Sequence, residues 1–426
     1  MSAESKVMTK KYQYTMLILV MVIFIVGFAY AATALAALWG HIAADLGFDL
    51  VQISALVSAL PLGVILFSFI GGALLDRLST RVMLFISLIV CGIGIFLRGT
   101  VDSFGAFYAS MMLLGIGQAV LIPGITRVVA NTFPREVIFK FNGILMSAVP
   151  IGMWTGFNTS IPIAEAIGWQ NLFMGIGILG WIVAVIWVLI ARDFKKEDVL
   201  LNKQINVDLE KTSFFQNIKE VLSKKQNWFI ILAEGFSQGS MQTLIALGPT
   251  ILVTFPGTTP VLAAFASSMG NLGSLVGYYV LPPISEKFGL RKPFIIVGYV
   301  INVLFVVAAY MVGNIWFAMF GYFVGFFVNG WTMPGPRTML QESPGVAGLR
   351  AGTAMGTMIT FSRIGAMVFP LLFAAIAGVA GLVIGISIVA ATSLIGAVLI
   401  GLAKETGIGR EAAKKLQAEK KAAKKA

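Results

Sequence analysis

Apolar residues run along this chain in long blocks, not in the alternation of a strand or the one-sided stripe of a surface helix. Blocks free or nearly free of charge extend from Tyr14 to Trp39, Ile53 to Leu75, Val82 to Leu97, Phe104 to Thr126, Phe141 to Ile163 and Leu172 to Ala191. A second set runs from Trp228 to Leu252, Leu262 to Ile284, Pro293 to Val312, Ile315 to Pro336, Ala351 to Ala375 and Gly381 to Leu402. A helix needs about 20 such residues to cross the ~30 Å of a bilayer's hydrocarbon. The pattern therefore predicts an all-α polytopic membrane protein with twelve transmembrane helices, numbered here spans 1 to 12. Pro61, Pro123, Pro150, Pro249 and Pro370 lie inside spans and should kink them without ending them, because neighbouring helices can satisfy the freed carbonyls. The first block follows Lys10 and Lys11 as a signal peptide would, but at about 26 residues it is too long for an apolar signal region of about 7 to 15 and is read as span 1.

Composition narrows the class. Of 426 residues 58% are hydrophobic and 12% charged, more apolar material than a soluble core can use. Cys91 is the single cysteine and His41 the single histidine, which excludes a disulfide scaffold and leaves no Cys/His metal site. No Gly-x-x-x-x-Gly-Lys-Ser/Thr and no His-Glu-x-x-His occurs, so neither a phosphate-binding loop nor a zinc protease site is expected, and with them no cofactor and no enzyme activity.

The net charge is +12, and its placement gives it meaning. With the chain starting inside, 29 of the 31 Lys and Arg fall at cytoplasmic positions, all but Arg98 and Arg363. Such an excess marks the inner face of a multi-pass protein, which puts both termini in the cytoplasm and the chain in the cytoplasmic (inner) membrane. The charge then attracts anionic lipid headgroups and not nucleic acid. The expected organisation is a cytoplasmic N-terminal tail (1–13), an N-terminal six-helix bundle (14–192), a cytoplasmic central loop (193–227), a C-terminal six-helix bundle (228–403) and a basic cytoplasmic tail (404–426), in a monomeric protein. In the central loop Ser213 with Gln216 forms a capping box, and Phe214, Ile218, Val221 and Leu222 share one face of a short amphipathic helix on the inner membrane surface.

The two sets of spans repeat. Gly72-Ala-Leu-Leu-Asp76-Arg77-Leu-Ser-Thr-Arg81 follows span 2, and Asp76, Arg77 and Arg81 meet Glu286, Lys287 and Arg291 after span 8 at an offset of 210 residues. The same offset carries Arg127 onto Arg337 at the ends of spans 4 and 10. Several matches in order imply two halves of common design. With this motif, twelve spans and a long central loop, the chain resembles the major facilitator superfamily of secondary transporters. Gly72, Leu74, Asp76, Arg77 and Arg81 stand at positions of the family's loop signature, while Ser79 and Thr80 replace its Gly and Arg. The resemblance implies a conformational switch made of Asp76, Arg77, Arg81, Glu286, Arg291, Arg127 and Arg337, with Asp76 docking on the N-terminus of span 11 when the cytoplasmic side closes. Spans 3 to 6, with Phe96-Leu97-Arg98, Gly115-Ile-Gly117, Ile122-Pro123-Gly124 and Gly168-Trp169, look like the cyanate permease branch of small-anion porters.

Two ionisable residues lie deep in apolar blocks, where a charge costs ~3 kcal/mol or more. Glu234 is six residues into span 7 and Arg363 about twelve into span 11, roughly 9 and 18 Å by helical rise. Arg363 is the candidate anion-binding group, since a guanidinium grips a carboxylate through two parallel bonds. Glu234 is the candidate proton-coupling site, because burial favours the protonated acid and a nearby guanidinium the carboxylate. The competing expectation is a structural Glu234–Arg363 ion pair. Gln238 and Gln242 on span 7, Asn271 on span 8, and Trp154 and Asn158 on span 5 recur on helical faces with Glu234, Ser267, Ser274, Tyr278 and Ser147, as a polar cavity lining would. Arg98 is either an interfacial anchor or an outer gate. Gly152/Gly156, Gly273/Gly277, Gly321/Gly325 and Gly352/Gly356 are expected packing sites between spans. Together these features point to a secondary transporter of a small organic or inorganic anion, coupled to protons or to exchange. A proton-coupled exporter of hydrophobic cations or drugs is the alternative, and a non-transporting membrane sensor is a third reading.

Overall fold

A computed structural model describes residues 9–133, 135–192, 214–343, 346, 351–407 and 409, and among them every regular element is a helix. The chain forms two compact units, Met1–Asp208 and Leu209–Ala426.

In the first unit span 1 consists of α1 (Lys10–Phe24), a π-helical turn (Ile25–Tyr30) and α2 (Ala31–Leu46). Spans 2 to 6 are α3 (Leu50–Arg77), α4 (Thr80–Arg98), α5 (Phe104–Thr132), α6 (Arg135–Ile167) and α7 (Trp169–Ile190). The second unit opens with the short α8 (Phe214–Ser223), followed by α9 (Lys225–Leu252), α10 (Pro260–Phe288) and α11 (Lys292–Met311) as spans 7 to 9. Span 10 is broken into α12 (Ile315–Phe327), α13 (Asn329–Thr332) and α14 (Pro334–Glu342). Span 11 is α15 (Ala351–Ala380), and span 12 is α16 (Leu382–Ala391) with α17 (Ser393–Leu402).

Nine of these helical rods are long and apolar enough to cross a membrane among the described residues. The three that fall short, α6, α9 and α10, are the spans that carry the polar stripes. Polar side chains on a long helix lower its hydropathy and have to face a cavity or another helix.

The repeat seen in sequence reappears in how each unit packs internally. In the first unit span 1 packs on span 5, span 2 on span 4, and span 3 on spans 4 and 6. In the second, span 7 packs on span 11, span 8 on span 10, and span 9 on spans 10 and 12.

Local chemistry sets the helix ends. Asp49 and Gln52 form a reciprocal capping box that starts α3. Ser79, at the position where the family signature carries Gly, accepts from the Val82 amide at 3.2 Å and so caps α4. Thr259 caps α10, and Asn314 caps α12. The interior prolines leave α3, α5, α6, α9 and α15 unbroken. The expected capping Ser213 lies outside the described residues. Val221 of α8 is buried in the apolar core of the second unit, and Asn227 and Trp228 donate to the Val221 and Leu222 carbonyls. The amphipathic helix is therefore a packed part of the second unit.

Three of the four expected glycine pairs, Gly321/Gly325 against α11 among them, let neighbouring helices approach closely. A Cβ at Gly273 would overlap the Phe323 carbonyl of α12, and one at Gly277 the Phe327 carbonyl. Gly152 and Gly156 likewise admit Ala29 and Thr33 of span 1. Gly356 differs from expectation: it meets open space, so the 352/356 pair does not seat a described helix through that residue. Gly277→Val should cost about 1–3 kcal/mol by overpacking, seen as a lower melting midpoint of the purified protein. Gly356→Val should leave that midpoint within about 1 °C, as exposed substitutions usually do.

Candidate functional site

Where α9 meets span 10, a carboxylate is held inside the second unit. Glu234 is 1% exposed, and Arg337 of α14 donates to its Oε1 from Nη2 at 2.8 Å and Nε at 3.1 Å. Gln238, one turn along α9, donates to the same oxygen at 3.3 Å. The other oxygen, Oε2, is buried and has no hydrogen-bond partner among the described residues. The Arg337 side chain is itself 39% exposed, so the pair has one buried and one accessible member.

The break in span 10 explains how Arg337 comes to be there. Span 10 reads as a continuous apolar block to Pro336, but Pro334 and Pro336 have no amide hydrogen to give to a helical ladder. The helix stops after Phe327, makes a short turn over Asn329–Thr332 and restarts at Pro334. Arg337 falls in the first turn after the restart and meets Glu234. The partner of Glu234 is thus Arg337, and the Glu234–Arg363 pair is not formed.

Arg363 is half-buried on α15, and among the described residues it makes no hydrogen bond or ion pair. The positive charge of Arg337 acts on it repulsively. Glu234, Arg337 and Arg363 together carry one negative and two positive charges. A net positive charge inside an apolar bundle is costly unless an anion or water answers it.

The other residues singled out from sequence are distributed as follows. Gln242 is half-buried on α9. Asn271 is buried, and Ser274 below it donates to the Phe326 carbonyl at 3.2 Å and accepts from Asn329 at 3.0 Å, so this part of the span 8 stripe faces span 10. In the first unit Trp154 is 41% exposed, and Asn158 donates back to its carbonyl at 2.7 Å. Arg98 is fully buried, donating to the Ala31 carbonyl at 3.3 Å and lying over the Phe173 ring. It does not reach the interface as an anchor or an exposed outer gate would. Arg81 bonds the Val188 carbonyl, and Trp187 returns a bond to the Arg81 carbonyl at 2.9 Å, tying spans 3 and 6. Arg127 is half-buried and Glu286 exposed. The side chains of Asp76 and Arg77 lie outside the described residues.

Arg291 pairs with Glu342 at 3.4 Å, and a third residue missed in the sequence reading joins them. Glu405, just past span 12, accepts from the backbone amides of Arg291 and Lys292 at 2.9 and 3.0 Å. It places a carboxylate at the N-terminus of α11, where the free amides and the helix dipole favour it. An acidic residue following a span end and facing a basic loop was the available signal.

Known proteins resemble this chain in sequence and in fold. The pattern that defines the Major Facilitator Superfamily matches residues 19–370, and the chain belongs to that family of membrane transporters, not to the enzymes. It is 24% identical over 405 residues to the "Probable galactarate/D-glucarate transporter GudP" of Escherichia coli (strain K12), covering 85% of this chain and 87% of that protein. It is also 24% identical to the "Quinolone resistance protein NorA" of Staphylococcus aureus (strain MRSA252), over 78% of this chain and 82% of that one. Among solved structures, a bacterial homologue of the human lysosomal transporter Spinster shares its fold, with a TM-score of 0.77, 17% identity and coverage of 93% and 97%.

Proposed function

We propose that the protein carries a small organic anion, of the dicarboxylic sugar-acid kind, across the cytoplasmic membrane by alternating access, with Arg363 as the anion-binding group and Glu234 as the proton site. The observation that carries this is the distribution of charge. Glu234 is already neutralised by Arg337, while Arg363 has no partner among the described residues. An incoming carboxylate would be gripped by Arg363 through two charge-assisted bonds, and the exposed side of Arg337 offers a second cation to a diacid. As Arg337 turns toward the substrate, its hold on Glu234 weakens and the buried carboxylate takes up a proton. Substrate and proton then travel together, or substrate exchanges for substrate. The GudP relatives, probable galactarate/D-glucarate transporters, support the same substrate class. Both termini on the cytoplasmic side follow from the basic residues.

The likeness to a quinolone resistance protein favours the competing role of a drug exporter, here one for hydrophobic cations. An exporter of that kind needs an unneutralised acid facing its substrate. Glu234 is buried and paired, which supports the anion carrier.

In proteoliposomes loaded to give an inward pH gradient, labelled D-glucarate should accumulate. Glu234→Gln should lower that gradient-driven accumulation at least about tenfold, roughly 1.4 kcal/mol, while counterflow exchange persists. Gradient-driven uptake equal to the wild type would remove Glu234 from the proton role.

A further inference from the structure

On the same face of α9 as Glu234, the second unit encloses a small polar chamber. Ser237, Ser240, Tyr299, Asn302, Asn329 and Thr332 line it, from spans 7, 9 and 10. The space has room for about one water molecule, which is enough where two or more polar groups converge. Two of its hydroxyls are orphaned. Ser240 and Tyr299 are each 1% exposed, and neither hydroxyl makes a hydrogen bond to a described residue. Tyr299 lies within reach of Ser237 but in a geometry that makes no bond, and it feels the charge of Glu234. By contrast Asn302 is tied to the Gly325 carbonyl at 2.6 Å, and Asn329 to Ser274 and Thr332 at 3.0 and 3.2 Å.

A third orphan is nearby in sequence and on the same face. Glu234 Oε2 is buried without a partner, and Ser237 is three residues further along the helix, where side chains stand about 5–6 Å apart. One water spans such a gap, and a bridging water is nearly as good as a direct bond. Buried polar groups in native proteins are hydrogen-bonded to protein or water, so the two orphaned hydroxyls at this water-sized space and the orphaned Glu234 oxygen one turn of α9 from its Ser237 lining have a common explanation.

We propose that this chamber is a resident water site that hydrogen-bonds Glu234 Oε2 through the Ser240 and Tyr299 hydroxyls and relays its proton. This rests on Glu234 being the proton site. When Glu234 is protonated, an O–H bond of the water breaks as the Oε2–H bond forms. The water recovers a proton from the hydroxyl behind it, and that hydroxyl is refilled from solvent, so the net change is one proton from solvent onto the carboxylate. The relay reaches Glu234 at Oε2, while Arg337 gives up Oε1 as it turns to the substrate, which keeps proton traffic apart from the guanidinium that meets the anion.

Ser240→Ala and Tyr299→Phe in the full-length protein test this with two measurements. If water satisfies the hydroxyls, each deletion removes a made bond and lowers the melting midpoint, by about 2 °C. If the chamber is dry, each deletion removes an unpaid desolvation penalty and raises it. In proteoliposomes both variants should slow gradient-driven uptake about tenfold relative to counterflow, against the Glu234→Gln variant as reference. A raised midpoint in both variants overturns the water site. A lowered midpoint with a wild-type ratio of driven uptake to counterflow, where Glu234→Gln loses the drive, overturns the relay. If Glu234→Gln itself keeps the drive, the proton role of Glu234 falls and the relay with it, and the melting shift still decides whether the chamber holds water.

Discussion

Replacing Arg363 by Ala should remove detectable binding of a sugar diacid, and Arg363→Lys should weaken it about tenfold. Truncating one partner of a buried charge-assisted pair costs about 2–5 kcal/mol, which is about 30-fold at the least. Lys keeps the charge but loses the planar fork that matches a carboxylate, so it falls between. The effect should appear in binding and not in folding, because Arg363 makes no ion pair among the described residues whose loss would be felt. Titration calorimetry with D-glucarate, beside a melting curve of each variant, checks both halves. An Ala variant that binds like the wild type and melts lower would make Arg363 a structural residue.

The opposite signature is expected at Arg337. Arg337→Ala leaves Glu234, 1% exposed, without the two bonds at 2.8 and 3.1 Å that hold its Oε1. Stranding a buried partner in this way costs about 3–5 kcal/mol. Adding Glu234→Gln to the same chain removes the stranded charge and should recover most of that loss, since the amide needs only neutral partners and Gln238 is one turn away. The melting midpoints of the two single variants and the double variant give the coupling between the residues. A double variant no more stable than Arg337→Ala alone would mean that the pair is not what Arg337 supports.

The helices of both units could be read almost entirely from sequence, because a bilayer asks one simple thing of a chain, an uninterrupted apolar block. Helix ends were less legible: α2 runs on to Leu46 and α6 begins at Arg135, each well past its apolar block. Charge within a block marks polar residues well, so Glu234 and Arg363 stood out. Their pairing did not. Arg337 sits one residue beyond the apolar block of span 10, where it looked like an end-of-helix cation, and only the break at Phe327 and the restart at Pro334 bring it to Glu234. The cluster of Gly330, Pro334 and Pro336 was the visible sign that this helix would not run straight.

Arg98 was misleading for a related reason. Its place at the end of a span suggests water, yet α2 and α7 close over it, and only Nη1 finds a partner, the Ala31 carbonyl, with the Phe173 ring beside the guanidinium and Nε and Nη2 unpaired among the described residues. The chamber beside Glu234 was the least legible feature. Ser240 and Tyr299 are ordinary residues in apolar blocks, where hydroxyls usually bond a carbonyl one turn back, as Thr243 does with Gly239 at 2.9 Å. Their orphaned hydroxyls around one shared space in the folded unit set them apart.

The central claim is the sign of the site. Titration calorimetry of the purified full-length protein with D-glucarate, a neutral sugar alcohol of the same length and tetraphenylphosphonium tests it most directly. Net positive charge from Arg337 and Arg363 against Glu234 predicts that the diacid binds and the other two do not. Binding of the lipophilic cation with none of the diacid would contradict it.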